Sequence, residues 1–343
     1  MKKHVNIPIF IPHLGCPNQC VFCNQRTISG VEEFDISVVK AEIDAALSTV
    51  DEAQEAEIAF FGGSFTGIDR ELMVSLLELA SEYIKAGKVS SIRCSTRPDY
   101  INDDILDILE KYGVKTIELG LQSSSDDVLQ RTKRGHSRDD EARACDLIVE
   151  RGFTLIGQMM IGLPESTAEK EIETAKFIVE HGASGARIYP TVVFRETELC
   201  AMSMSSEYIP LELSDAVERS AKALEIFRDN NVDVIRIGLC ASENLNNEEK
   251  YYAGPNHPAL GEMVESAVYY NKIKSYLKEA SYDGTVLRVY VPKGCLSKVI
   301  GQKKSNVTRL IREFGFADVK IKEDESLSNY ELKIQEERKR ECT

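Results

Sequence analysis

Short runs of β-branched and apolar residues alternate along the chain with longer segments whose apolar positions recur every three to four residues, the periods of strand and amphipathic helix. The short runs predict strands near 5–12, 57–61, 91–96, 116–121, 154–161, 186–192 and 233–239. Helical patterns fall between them at 36–48, 70–86, 102–112, 137–151, 167–181 and 212–230. Gly113, Gly152 and Gly182 stand just past the last turn of three of these, where helices commonly stop in a left-handed residue. Parallel neighbours need a crossover, so repeated strand–helix units followed by a further strand imply a parallel sheet. The expected fold is α/β, a partial (β/α)6-type barrel whose chemistry sits at the C-terminal ends of its strands. A helix-like stretch at 260–280 follows the Pro-rich turn Gly254-Pro255-Asn256-His257-Pro258, and Asp283-Gly284 marks a break. Beyond it the pattern reads strand, helix, Gly-containing turn, helix, strand. The expected division is a barrel with its extension over 1–283, a small α/β unit over 284–323 and a charged, frayed tail over 324–343.

The composition, 43% apolar and 29% charged over 343 residues, is that of a globular chain with a sizeable core. The longest apolar stretches, such as Val5–Pro12 and Leu155–Leu163, fall short of the roughly 20 residues a membrane span needs. The N-terminus shows no signal-peptide pattern, and nine cysteines without one argue for reduced thiols and a cytoplasmic protein. Six of them, Cys94, Cys145, Cys200, Cys240, Cys295 and Cys342, are scattered singly, as small buried hydrophobes or idle thiols are. A net charge of −14 weighs against nucleic-acid binding by the whole surface. The average hides an asymmetry: residues 284–323 hold nine Lys and Arg against three Asp and Glu, and Lys293–Arg312 holds six bases and no acid. Such a run reads either as a solvated face or as a nucleic-acid contact.

The remaining three cysteines follow the first strand as Gly15-Cys16-Pro17-Asn18-Gln19-Cys20-Val21-Phe22-Cys23, a CxxxCxxC spacing at the chemical end of the barrel. Three thiolates on one loop suit three irons of a 4Fe-4S cluster and leave the fourth iron open. A structural zinc site is the alternative; it needs four ligands, and the nearest candidate fourth is His13.

The loop and its placement resemble the radical S-adenosylmethionine (SAM) superfamily. The resemblance implies that Cys16, Cys20 and Cys23 hold a 4Fe-4S cluster whose open iron binds SAM, and that reductive cleavage yields a 5′-deoxyadenosyl radical that abstracts hydrogen from substrate. It implies a protein electron donor such as flavodoxin or ferredoxin. Phe22 matches the superfamily's aromatic near adenine, or is a core Phe. Phe60-Phe61-Gly62-Gly63-Ser64, at the end of the second strand, resembles the superfamily's GGE-type motif with Ser64 in place of the acid; Gly62 and Gly63 let backbone approach a charged ligand.

Over about residues 5–275 the chain resembles the radical domain of the Elongator catalytic subunit. The matching segments are Ser95-Thr96-Arg97-Pro98-Asp99, Glu118-Leu119-Gly120-Leu121-Gln122-Ser123, Arg134-Gly135-His136, Gly162-Leu163-Pro164 and the run from Tyr189 to Thr197. Some positions also match oxygen-independent coproporphyrinogen dehydrogenases, whose cofactor contacts carry over to Gln122, Arg134 and Gln158. Arg134 reads otherwise as a surface cation. Ser95 stands where these relatives often have a cofactor-binding Glu, a contact left to Ser95 itself, Arg97 or Asp99, and Gln158 stands where a carboxylate is common. The cysteine spacing is tighter than in the Elongator relatives, and fewer than 60 residues follow position 285, so the full Elongator reaction is not expected. The resemblance suggests Arg187 for stacking on adenine and Tyr189 as a catalytic radical relay or proton donor; a packed rim residue is the other reading of Tyr189. His257 reads as an acid–base group or as a turn-stabilising residue.

Val289 to Ile311 resembles a K-homology (KH) RNA-binding module, in which a GxxG loop between two helices clamps single-stranded RNA. Here the loop is Gly301-Gln302-Lys303-Lys304, without the second glycine. The resemblance implies RNA contacts at Lys298, Gly301, Lys303, Lys304 and Arg309; the other reading is a module that only packs on the barrel. The expectation for the whole is a radical SAM enzyme that modifies RNA, either tRNA or rRNA. The alternatives are a radical SAM enzyme for a small metabolite such as a porphyrinogen, and a non-enzymatic RNA- or ribosome-binding protein with an iron–sulfur cluster.

Overall fold

The computed structural model describes residues 3–11, 14, 16, 20–24, 34–51, 54–239, 247, 249–277, 282–328 and 330–338. His13, Gly15, residues 17–19 of the cysteine loop, Cys240 and Cys342 lie outside them. The chain forms two compact units, one of residues 1–216 and 226–256, the other of 217–225 and 257–343.

In the first unit the elements run β1 (Lys3–Ile11), α1 (Ile36–Leu47), β2 (Gln54–Gly62), α2 (Arg70–Lys85), β3 (Ser91–Thr96), α3 (Asp103–Lys111), β4 (Val114–Gln122), α4 (Asp126–Arg131), α5 (Arg138–Glu150), β5 (Thr154–Ile161), α6 (Ala168–Glu180) and β6 (Gly185–Pro190). There follow β7 (Val193–Phe194), α7 (Glu198–Met204), α8 (Leu213–Asp229), of which residues 217–225 belong to the second unit, β8 (Asp233–Ile237) and β9 (Tyr251–Ala253). Seven strands form one sheet in the order β1-β2-β3-β4-β5-β6-β8, every pair parallel, which is the curled α/β half-barrel the alternation predicts. The order follows the sequence, so all crossovers run the same way and all strand C-termini meet at one end. The helix boundaries are set locally. Asp35, Asp69, Asn102, Ser137, Thr167 and Thr197 accept N-terminal amides of their helices, and Gly113, Gly152 and Gly182 follow three helices with φ of +88°, +78° and +77°.

The second unit holds α9 (Leu260–Tyr276), β10 (Thr285–Val291), α10 (Leu296–Ile300), α11 (Ser305–Phe314), β11 (Asp318–Glu323) and β12 (Lys333–Arg338). The strand–helix–turn–helix–strand order expected after Gly284 is present, with β10 parallel to β11. Two features differ from the sequence expectation. The helix expected to extend the barrel, α9, buries Tyr269, Tyr270 and Ile273 in one core with Leu287, Val289 and Val291, so the compact unit begins near 257 and not at 284. Part of the expected tail is strand: β12 pairs antiparallel with β10, and Leu332 and Ile334 pack on that same core. The open edge of β10 offers backbone partners, and those two apolar residues supply the inward face.

Candidate functional site

The cysteine loop is anchored by backbone and by one apolar residue. Val21 N–H donates to the Thr132 carbonyl (3.2 Å), Leu199 N–H donates to the Val21 carbonyl (2.8 Å), and the Val21 side chain is buried among Val193, Leu199, Cys200, Met202 and Tyr208. Cys23 N–H donates to the Cys20 carbonyl at 3.0 Å, closing a turn that brings the second and third cysteines round. Cys20 is buried, while Cys16 and Cys23 are half-buried. All three line a cavity of about 560 Å³.

The other walls come from strand ends. Gly62 has φ +113°, and a Cβ there would sit 2.7 Å from the Ile11 carbonyl oxygen, to which the Gly63 amide donates (3.0 Å). Gly62 therefore has to lack a side chain for β2 to close against the last residue of β1. Ser64 Oγ is satisfied by Thr96 Oγ1 at 2.9 Å, leaving the glycine backbone as the cavity surface. Gln122, at φ +72° where β4 shifts register against β5, has its Oε1 buried with no partner among the described residues. A buried amide oxygen without a donor is costly, and this one stands in a cavity wall, ready for a ligand hydroxyl or amine.

Two buried guanidiniums meet one thiol. Arg134, 5% exposed, directs Nη1 to Cys20 Sγ at 3.3 Å and donates through Nη2 to the Gly120 carbonyl; its surface-cation reading is set aside. Arg97, 4% exposed, has Nη1 3.8 Å from the same sulfur, holds Asp99 through Nε and Nη2 (2.9 and 3.0 Å), and donates to the Arg134 carbonyl. Arg97 and Asp99 are thus engaged with each other. Behind them His136 Nδ1 lies 3.8 Å from Asp99, and its Nε2 lies 3.0 Å from Glu141 Oε1. Burial, reinforced by Arg134 and Arg97, pushes the His136 imidazole down to about 3, and burial pushes the Glu141 carboxyl well above its usual range. The imidazole is therefore neutral near pH 7. Burial also pushes the Cys16 thiol up, against the Ser64 amide and the two arginines, which favour a thiolate.

A second cavity of about 380 Å³ shares Phe22, Cys23, Gly62, Ser95, Gln122 and Gln158 with the first. Arg187, expected to stack on adenine, and Tyr189, expected as a catalytic relay or proton donor, line this second cavity. Arg187 is committed to Glu118, through Nε at 2.7 Å and Nη2 at 2.8 Å, and its guanidinium lies 5.6 Å from the Phe61 ring centre. Glu118 also accepts from Arg93 (2.9 Å) and from Gln158 Nε2 (2.9 Å), and Arg93 reaches on to Glu57 (2.8 Å). Burial would raise the Glu118 carboxyl, but the Arg187 and Arg93 guanidiniums overcome it and hold it below the usual range. Burial raises the Tyr189 phenol, keeping it a donor. Sequence reasoning assigned no role to Glu118, Glu57, Arg93 or Glu141. The available signal was charged residues inside strand patterns at 57, 93 and 118, where a buried charge demands a partner.

In the second unit Lys298 pairs with Glu265, while Arg309 lies 4.1 Å from the Tyr270 ring centre and near Glu313 (3.6 Å) and Glu218 (3.7 Å). A Cβ on Gly301 would fall 2.4 Å from Ser305 Oγ, so packing alone explains that glycine. Lys303 and Lys304 are exposed at φ +50° and +61°. His257 Nδ1 accepts from the Ala259 amide at 3.1 Å, its turn-stabilising role.

The donor set suits a cluster. Three thiols line one cavity, cationic groups face the most buried of them, and Gly62 and Gly63 line the same cavity. Among the described residues no three Cys, His, Asp or Glu side chains converge as ligands of a single ion. That is compatible with thiolates that each take a separate iron. Fold and site together define an α/β half-barrel protein with a cysteine-lined cavity at one end of its sheet. Residues 10–178 match the Radical SAM superfamily model and residues 183–270 the Radical_SAM C-terminal domain model, together about three quarters of the chain. The chain belongs to the radical SAM superfamily, whose enzymes use a 4Fe-4S cluster and SAM. It is similar to Elongator complex protein 3 of Mus musculus, 28% identical over 251 residues, 64% of this chain and 46% of that protein. It is also similar to the tRNA uridine(34) acetyltransferase of Methanocaldococcus jannaschii, 27% identical over 199 residues, 52% of this chain and 37% of that enzyme. The chain thus spans about half the length, or less, of these relatives. The archaeal Elp3 of Methanocaldococcus infernus shares the fold, with a TM-score of 0.64 and 22% identity over 81% of this chain and 64% of that one. Among the described residues no helix is long and apolar enough to cross a membrane.

Proposed function

We propose that the chain is a radical SAM enzyme that modifies RNA, with Cys16, Cys20 and Cys23 as the three cluster ligands. The observation that carries the enzyme reading is the pair of buried arginines aimed at Cys20 in a cavity that Gly62 and Gly63 also line. When bound, the cluster and SAM supply a 5′-deoxyadenosyl radical for hydrogen abstraction from substrate. The residues of the chain do the rest. Arg134 and Arg97 stabilise negative charge on Cys20, and their own geometry is fixed by Asp99 and by backbone carbonyls. Gly62 and Gly63 present backbone to the cofactor's amino and carboxylate groups, and Gln122 offers its free Oε1. Ser95 and Gln158 line the boundary between the two cavities, where a cofactor and a substrate would meet.

The RNA reading is supported by the tRNA-modifying relative and by the exposed Lys303 and Lys304, which have no carboxylate partner among the described residues. Lys298 and Arg309 contribute less, being engaged by acids. Electrons would come from a small protein donor such as flavodoxin or ferredoxin. The test is anaerobic reconstitution with iron and sulfide, reduction with dithionite in the presence of SAM, and chromatography for 5′-deoxyadenosine with and without total cellular RNA. Formation stimulated by RNA and abolished in Cys20→Ala is the expected result. Cleavage indifferent to RNA removes the RNA substrate, and a well-formed cluster that never cleaves SAM removes the enzyme.

A further inference from the structure

The second cavity has a charge balance of its own. Two buried carboxylates, Glu57 and Glu118, face two buried guanidiniums, Arg93 and Arg187, in one connected network. These four charges cancel. Arg236 is a third guanidinium on the cavity wall, on β8 directly beside Arg187 of β6 in the strand register. Among the described residues no carboxylate lies within ion-pairing distance of it, and it is half-buried, so water screens it only in part. Among the described residues Arg236 is therefore a guanidinium on the cavity wall that no carboxylate answers. The cavity's remaining walls are largely apolar and aromatic: Phe10 and Phe61, with ring centres 6.2 Å apart, together with Phe194 and the Tyr189 ring. A space of about 380 Å³ with flat aromatic walls and a guanidinium that no described carboxylate answers selects for a planar body carrying an anionic group.

We propose that this cavity binds the reacting part of the substrate as a planar group bearing an anionic substituent, with Arg236 as the residue that takes the charge. Calling the occupant a substrate rests on the enzyme reading above; the binding chemistry does not. The anion lies at the last strand of the open sheet, while the ring reaches inward toward Gln122 and Gln158, the residues shared with the cysteine-lined cavity. A carboxylate on a free aromatic or heterocyclic acid and the phosphate of a nucleotide present the same chemistry to Arg236.

The probe is 2-naphthoate, compared with the isosteric neutral 2-naphthamide, titrated calorimetrically into the reconstituted protein. Naphthoate should bind about tenfold more tightly than the amide, the range of a hydrogen bond to a charged group. Arg236→Ala should erase that preference and Arg236→Lys should restore part of it, with circular dichroism reporting the fold of each. Should the alanine variant not fold, Arg236→Gln carries the same test. Displacement of naphthoate by uridine monophosphate but not by uridine assigns a nucleotide source, and displacement by small carboxylic acids alone assigns a free acid. Equal affinity for naphthoate and naphthamide, or a preference that survives in a folded Arg236→Ala, overturns the proposal. These titrations involve no SAM cleavage. A protein that discriminates naphthoate without forming 5′-deoxyadenosine loses the function and keeps the site, and the converse result separates them the other way.

Discussion

Basic residues occupy opposite environments in the two units. In the half-barrel, Arg93, Arg97, Arg134 and Arg187 are almost fully buried, each held by two or more partners, and two of them turn toward Cys20. In the C-terminal unit, Lys274, Lys293, Lys298, Arg309 and Lys320 sit at the surface beside carboxylates. Residues 284–323 have the more conspicuous charge run, yet most of it is neutralised by acids that the fold or the chain brings alongside, some of them outside the run, such as Glu265 and Glu325. A charge count over a sequence window thus overstates the field that window presents, whereas a charge inside a strand pattern marks a site because burial is costly unless it is answered.

The largest effect expected from this contrast is on stability. Arg93→Ala takes its guanidinium from the buried Glu57 and Glu118 carboxylates, 2% and 0% exposed, and should lower unfolding free energy by about 3–5 kcal/mol, whereas Lys298→Ala, which breaks a surface pair, should cost no more than about 1 kcal/mol. Urea unfolding of the two variants measures both, and equal losses would mean that burial does not separate the two kinds of basic residue.

A smaller effect is a change in pH dependence. Burial raises the Glu141 carboxyl, so above the ordinary Glu value the fold favours its proton, and this offsets part of the proton uptake that unfolding adds at His136. Glu141→Gln removes that offset. His136, folded value about 3, then binds its proton only when unfolded over the interval from about 6.5 down to 3, so stability present above 6.5 is lost as pH falls, by about 1.4 kcal/mol per unit. Urea midpoints of wild type and variant from pH 7 to 4.5 compare the slopes; parallel curves would mean that the pair does not titrate as the burial of both groups requires.

The smallest effect lies on the surface. Lys303→Glu with Lys304→Glu should weaken RNA binding several-fold and flatten the salt dependence by a slope of about 1.4 for a single strand, at ~0.7 per phosphate contact. Arg309→Glu, at a side chain already engaged by Tyr270 and acids, should change the slope less. Fluorescence anisotropy with a labelled RNA at several salt concentrations reads all three, and a larger change from Arg309 would return the basic run to the centre of the RNA reading.

What the sequence by itself determined is local. Strand and helix periods, capping residues and the glycines after helices all act within a few positions, which is why each predicted strand and helix of the half-barrel has its counterpart near the expected residues. The cysteine spacing and the Gly62-Gly63 pair are equally local, and they marked the end of the sheet where the cavity lies. Only the tertiary structure decided what the charges face. Arg93 and Arg187 reach Glu118 from 25 and 69 positions away, Arg134 reaches Cys20 from 114, and Glu141 closes on His136 only because a helix packs it into the interior. The same holds for α9, whose apolar side chains take their place in the C-terminal core, and for β12, whose charged sequence pairs with an open strand edge. Backbone periodicity is set by neighbours along the chain, whereas a buried charge or an open edge takes its partner from whatever the fold brings beside it.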